Sequence, residues 1–267
     1  MPAMTSSNPP PARVALVTGA ARRLGREIAL GLARAGWDVA VHYHGSRLEA
    51  EQTAGEIRAL GRRSAIFIAD LADAAQTRGL LDEVFARLGP VPCLVNNAAR
   101  FEFDDPATFE AATLDRHVGP NLAAPLLLAR RLHERLADLD RPEPMPEPRG
   151  VVVNLLDQKL DNLNPDFLSY TLTKAGLLAA TRMLAMAFAP RLRVVGVSPG
   201  ITLESGGQSA ESFAQAHRRT PLGHSSTPQD ICRAVVFLAD APAITGIHLV
   251  VDGGQHLLSL PRDTMFL

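Results

Sequence analysis

Short β-branched runs alternate with amphipathic helical stretches along almost the whole chain, and this rhythm limits the folds open to it. It begins with RVALVT at residues 13–18, closed by Gly19, which reads as a buried strand. Residues 24–35 then carry apolar side chains at helical spacing (Leu24, Ile28, Leu32, Ala35) and stop at Gly36. The same pattern predicts strands at 39–42, 65–68, 93–96, 151–155, 194–197 and 248–251. Helices are expected at 48–60, 74–88, 114–136, 167–188 and 228–239. Strands joined through helices by short connections build a parallel sheet covered on both faces. The expected fold is therefore α/β, a doubly wound parallel sheet in a single domain over 13–267, preceded by a disordered tail over 1–12.

Two segments break the rhythm. RPEPMPEPR (141–149) has four prolines at alternate positions and is expected to be an extended loop. Residues 201–227 are polar and Gly/Ser-rich, with a short helical stretch at 210–217. Ligands bind at the carboxyl ends of parallel strands, so this loop is expected to cover a substrate.

Composition removes several function classes. A net charge of -1, with acids and bases interspersed, gives no electrostatic basis for binding nucleic acid or an anionic membrane. No apolar run approaches the ~20 residues that span a bilayer. Cys93 and Cys232 lack metal-ligand spacing and read as buried, reduced thiols. A cytoplasmic protein without a metal fits best.

TGAARRLG (18–25) joins the first strand to the first helix. Gly19 permits a tight turn and Gly25 a close helix–strand approach, leaving the helix N-terminus to face a pyrophosphate. An NAD site usually places an acid at the end of the second strand. Here the chain reads VHYHGSR, with no acid before Glu49. His42, His44, Ser46 and Arg47 offer donors and positive charge suited to a 2′-phosphate, which favours NADPH. Arg23 is placed to reach the diphosphate or the polar edge of a substrate.

Tyr170 and Lys174 stand i,i+4 on one predicted helix and share a face. Lys159 and Lys174 are the only lysines among 27 basic residues, and Tyr43 and Tyr170 the only tyrosines. Neither member of the pair is routine surface filler. A neighbouring ammonium is expected to lower the pKa of Tyr170 and make it a proton donor or relay.

In order, TGAARRLG, ADLAD (69–73), NNAA (96–99), Asn121, the Tyr170/Lys174 pair, SPG (198–200) and VDGG (251–254) resemble the motifs of the short-chain dehydrogenases/reductases. The resemblance spans residues 13–254 and implies a Rossmann-like sheet of about seven strands and usually a homotetramer. It implies cofactor contacts from Gly19, Arg23 and Leu24 in the turn, and from Asp70, Leu71, Asn97 and Ala98 after the third and fourth strands. Lys174 would hold the nicotinamide ribose, Pro199 and Gly200 would meet the nicotinamide, and Asn121 would anchor a relay water.

Arg23 takes the position of a usual second glycine, HYHGS replaces an acidic strand end, and Asp157 stands where the catalytic serine normally does. With Phe101 close after NNAA, these departures are similar to the pteridine reductases, including bacterial dihydromonapterin and dihydropteridine reductases. Those enzymes reduce pterins, and in some cases folates, with NADPH. Gly45 departs from the arginine often found there, and Arg47 is its candidate substitute. An ionised Asp157 cannot donate to a substrate carbonyl. It can hold and polarise Tyr170 or a water that protonates a ring nitrogen, or donate directly if burial raises its pKa. Phe101 is placed to stack on the flat ring. Two other readings remain open: a ketone or 3-oxoacyl reductase that tolerates the aspartate, and an NADPH-binding regulatory protein with little turnover. The apolar tail after VDGG is expected to pack on a neighbouring subunit or cover its active site.

Overall fold

The computed structural model describes residues 13–138, 148–204 and 209–266. The expected tail over 1–12 and most of the proline-rich loop lie outside the described residues. The chain runs β1 (Val14–Val17), α1 (Arg23–Arg34), β2 (Asp38–Tyr43), α2 (Arg47–Ala59), β3 (Ser64–Ile68), α3 (Ala74–Leu88) and β4 (Cys93–Asn96). It continues with α4 (Ala111–Val118), α5 (Ala124–Ala137), β5 (Gly150–Leu155), α6 (Leu168–Phe188), β6 (Leu192–Pro199), α7 (Ala210–Arg218), α8 (Pro228–Asp240) and β7 (His248–Val251). All seven strands are parallel, in the order β3-β2-β1-β4-β5-β6-β7.

The strand order reverses between β1 and β4, opening a crevice at their carboxyl ends. Alternate side chains feed two cores. Ala15, Val17, Val39 and Val41 face the layer of α1, α2 and α8, while Val14, Leu16, Ala40 and Leu94 face that of α3, α5 and α6. Burial on both faces explains why these strands read as continuous apolar runs.

Three differences from the sequence expectation have local causes. The helix expected at 114–136 is interrupted by a π-turn, Gly119–Ala123, where Pro120 has no N–H to give the ladder. β2 runs one residue past the expected 39–42 at each end, so His42 is an interior strand residue paired with Phe67. Cys232 is half-buried rather than buried; it packs so close to α1 that a Cβ on Gly31 would meet its Sγ at 1.8 Å.

Candidate active site

Thr18, at the end of β1, stitches β1 to β4: its Oγ1 accepts from the backbone N–H of Asn97 at 2.9 Å and of Ala98 at 3.0 Å. Asn97 returns its amide to the Thr18 and Gly19 carbonyls at 2.9 and 3.3 Å. Gly19 has φ +64, and a Cβ there would lie 3.0 Å from Ala98 Cα. At Gly25 a Cβ would lie 2.2 Å from the Gly19 carbonyl oxygen, so α1 packs directly on the turn. No side chain caps the N-terminus of α1, which leaves its first N–H groups available to an anion. Arg23 starts the helix at φ 54 and donates to the Glu204 carbonyl at 2.6 Å, bridging the crevice to the loop after β6.

His42 does not fill the role its sequence position suggests. Its Nδ1 accepts from Gly19 N–H at 3.0 Å, so Nε2 carries the proton that meets the Ala69 carbonyl at 3.1 Å. Burial pushes its pKa down to about 4, so it is a neutral strut beneath the glycine turn. His44 and Arg47 are exposed and Ser46 half-buried at the open end of β2. Asp70, at the end of β3, accepts from Ala72 N–H at 2.9 Å, with His44 Nδ1 4.0 Å away, and Leu71 is buried beside it.

A cavity of about 420 Å³ opens at the carboxyl ends of β4, β5 and β6. Arg23, Leu24, Asn97, Phe101, Asp157, Tyr170, Lys174, Pro199 and Gly200 all line it. Gly200 is required for the turn, since a Cβ there would press on Ser225 Oγ at 2.6 Å and Asp252 Cβ at 2.7 Å.

Asp157 follows β5 and caps a short helical turn, with Oδ1 accepting from Lys159 N–H at 2.9 Å. The Tyr170 hydroxyl donates to its Oδ2 at 2.9 Å. Burial pushes the Asp157 pKa up, against the pull of these two donors. Burial and the facing carboxylate hold Tyr170 well above the usual phenol range. The expected lowering of Tyr170 by Lys174 is therefore corrected: the phenol is kept protonated. Lys174 Nζ lies 5.6 Å from the Tyr170 ring centre and donates to the Leu155 carbonyl at 2.6 Å. Lys174 is 3% exposed, and burial brings its pKa down to about 8.

Asn121 sits behind the cavity. Its Oδ1 accepts from Arg100 N–H at 2.7 Å, and its amide donates to the Arg100 carbonyl at 2.9 Å and Thr173 Oγ1 at 3.2 Å. Its side chain thus braces the loop after β4 against α6. Phe101 stacks on Phe167 at 4.2 Å and meets Tyr170 edge-on at 4.8 Å, which fixes its ring beside Tyr170.

Sequence reasoning passed over Asp104, Lys159, Asp166 and Asp263. Asp104 holds the start of α6, accepting from Ser169 N–H at 3.0 Å and from the Ser169 hydroxyl. Lys159 Nζ reaches the Asp166 carbonyl at 2.5 Å and Asp263 Oδ2 at 3.2 Å. The tail lies on the site of its own chain, with Asp263, Thr264 and Met265 in the cavity wall. Of these, only the scarcity of lysine gave a sequence signal, and it pointed to Lys159 without naming a partner.

Residues 19–256 match the family model described as enoyl-(acyl carrier protein) reductase. The chain belongs to the short-chain dehydrogenase/reductase family. It is an oxidoreductase of that family. Among solved structures it is similar to FolM alternative dihydrofolate reductase 1 from Brucella canis, complexed with NADP. The identity is 38%, the TM-score 0.83, and the match covers 92% of this chain and 95% of that one. Pteridine reductase 1 of Leishmania tarentolae is 32% identical over 294 residues, covering 95% of this chain and 99% of its own. The 3-oxoacyl-[acyl-carrier-protein] reductase FabG of Staphylococcus aureus is 32% identical over 248 residues, covering 91% and 98%. Among the described residues no helix is long and apolar enough to cross a membrane, and no cluster of side chains suits a metal ion.

Proposed function

We propose that this protein is an NADPH-dependent pterin reductase that converts a dihydropterin to the tetrahydropterin, with dihydrofolate as a related substrate. The observation that carries the reading is the 2.9 Å bond from a protonated Tyr170 to the buried Asp157. A ketone reductase needs a neutral donor at that position; a carboxylate accepts instead. A C–N double bond asks for a proton at nitrogen, and Tyr170, oriented by Asp157, supplies one. Similarity to a pteridine reductase and to FolM dihydrofolate reductases supports the same substrate class.

The residues present suit the cofactor. The close contact at Gly25 shapes the turn for a pyrophosphate, and the uncapped start of α1 faces it. His44, Ser46 and Arg47 at the acid-free end of β2 suit a 2′-phosphate. NADPH, when bound, supplies the hydride. Lys174 lends its ammonium to the cofactor ribose, and Phe101 presents an aromatic face to the flat ring. As the substrate carbon gains the hydride, Tyr170 gives its proton to the adjacent nitrogen. Tyr170, its hydroxyl turned from Asp157 to the substrate for that transfer, would then regain a proton from solvent.

Family membership implies a homotetramer, and we place it in the cytoplasm. Leu172, Met183 and Met186, exposed on α6, offer an apolar face to a neighbouring subunit. The second reading, a 3-oxoacyl reductase, is favoured by the FabG similarity. NADPH oxidation with dihydrobiopterin, dihydromonapterin, dihydrofolate and a simple β-ketoester separates the two. Turnover of a pterin is expected, and turnover of the ketoester alone would rule the pterin reading out.

A further inference from the structure

The C-terminal residues take no part in the proton transfer, yet they close one wall of the cavity with Asp263, Thr264 and Met265. They are held there by three separate contacts. Both oxygens of the buried Asp166 accept from Arg262 Nε, at 3.0 and 2.8 Å, and one also accepts from Asp263 N–H at 2.7 Å. The Lys159 ammonium, 3% exposed, ties the Asp166 carbonyl to the Asp263 carboxylate. Phe266 stacks on Phe167 at 6.1 Å and meets Phe103 edge-on at 5.4 Å. The anchors Lys159, Asp166 and Phe167 all lie between Asp157 and Tyr170, in the segment that delivers the catalytic pair.

Lys159 takes its carboxylate partner from the tail, so the docked tail offsets part of the cost of burying that ammonium. The segment after Asp157 is therefore tied to the tail through Lys159, Asp166 and Phe167. α7 also packs against residues 264–266.

We propose that residues 262–266 form a substrate-discriminating strap, latched by Lys159 and Asp166, that admits a flat heterocycle and shuts out a carrier-bound acyl chain. The cavity of about 420 Å³ is in the range of small-molecule sites, and residues 263–265 form part of its wall. An acyl thioester instead needs an open trench along which its pantetheine arm leaves the site, and the strap lies across that wall. The identity of the admitted ring rests on the pterin reading; the latch and the exclusion rest on the geometry. Lys159 and Asp166 are positioning residues, acting through the strap.

The test compares wild type, Lys159→Met and the Arg262→Ala/Phe266→Ala double variant with NADPH and either dihydrobiopterin or acetoacetyl-CoA. In both variants KM for the pterin should rise about tenfold or more, and kcat/KM for the thioester should rise by a similar factor. The pterin kcat should stay within about twofold and NADPH affinity by fluorescence titration should not change, because the reacting groups are intact. Unchanged constants on both substrates, or an equal loss on both, would overturn the strap. Should Lys159→Met fail to fold, the double variant decides, since Arg262 and Phe266 are each about half exposed. Should no form reduce a pterin, the substrate reading fails. The thioester arm then still decides the strap: a gain supports it and no gain overturns it.

Discussion

Asp104→Ala should both destabilise the protein and slow it, because Asp104 performs the capping that α6 lacks. Phe167, at the N-cap, sits at φ 55, ψ 48 and contributes no side-chain bond. Asp104, 3% exposed, instead accepts both the N–H and the hydroxyl of the fully buried Ser169. Losing a cap costs ~1 kcal/mol. A buried donor left without an acceptor costs ~1–3 kcal/mol. The carboxylate at a helix N-terminus adds ~0.3–1 kcal/mol. Relief from burying a charge offsets part of this, leaving about 2–4 kcal/mol, a sizeable share of a typical 5–15. Urea unfolding monitored by circular dichroism reads the loss from the midpoint at constant m. Asp104→Asn keeps an oxygen for the Ser169 N–H and turns an amide N–H toward its hydroxyl, so it should recover more than half. Since Tyr170 is the next residue after Ser169, kcat should fall in the alanine variant while NADPH affinity holds. A loss below ~0.5 kcal/mol, or an asparagine variant as weak as alanine, would refute the capping argument.

Gly25→Ala places a Cβ 2.2 Å from the Gly19 oxygen and should weaken NADPH binding at least about tenfold by fluorescence titration. Gly79→Ala, in α3 with nothing within 4 Å, is the control and should leave binding unchanged. His42 titrates at about 4 in the fold against 6.5 in an open chain, so the unfolded state binds the extra proton between those values. Stability is therefore full above pH ~6.5 and falls on acidification toward 4, by on the order of 3 kcal/mol. His42→Gln should flatten that slope in urea titrations at several pH values, and an unchanged slope would contradict the assignment. Lys174 titrates near 8, so its ammonium is present below that pH and lost above it. kcat/KM should fall by about tenfold per unit on the alkaline side, and a flat profile to pH ~9.5 would show that the charge is not needed.

The sheet was legible because its strands are buried on both faces and its helices on one, two periods that survive in the bare sequence. Strand ends at 93–96 and 248–251 and the helix at 74–88 needed no revision. His42 lies in the strand as expected, but its ring turns inward to Gly19 N–H and the Ala69 carbonyl, partners that no local pattern announces. The side-chain partners of Asn121, Arg100 and Thr173, were not legible because they lie across the fold. The direction of the Tyr170 shift followed burial and Asp157, thirteen positions away, over the lysine on the next helical turn. The tail was expected to cover a neighbour's site, but its latch on its own chain was not legible: Asp166 and Arg262 lie 96 positions apart, and neither carries a motif.

Asp157 bears the central claim, that this site is built to protonate a ring nitrogen. The most direct measurement is the ratio of kcat/KM for dihydrobiopterin to that for ethyl acetoacetate, in wild type and in Asp157→Ser and Asp157→Ala. Both variants should lose about a hundredfold or more on the pterin, and the serine variant should gain on the ketoester. Near-wild-type pterin reduction in both variants would contradict the account.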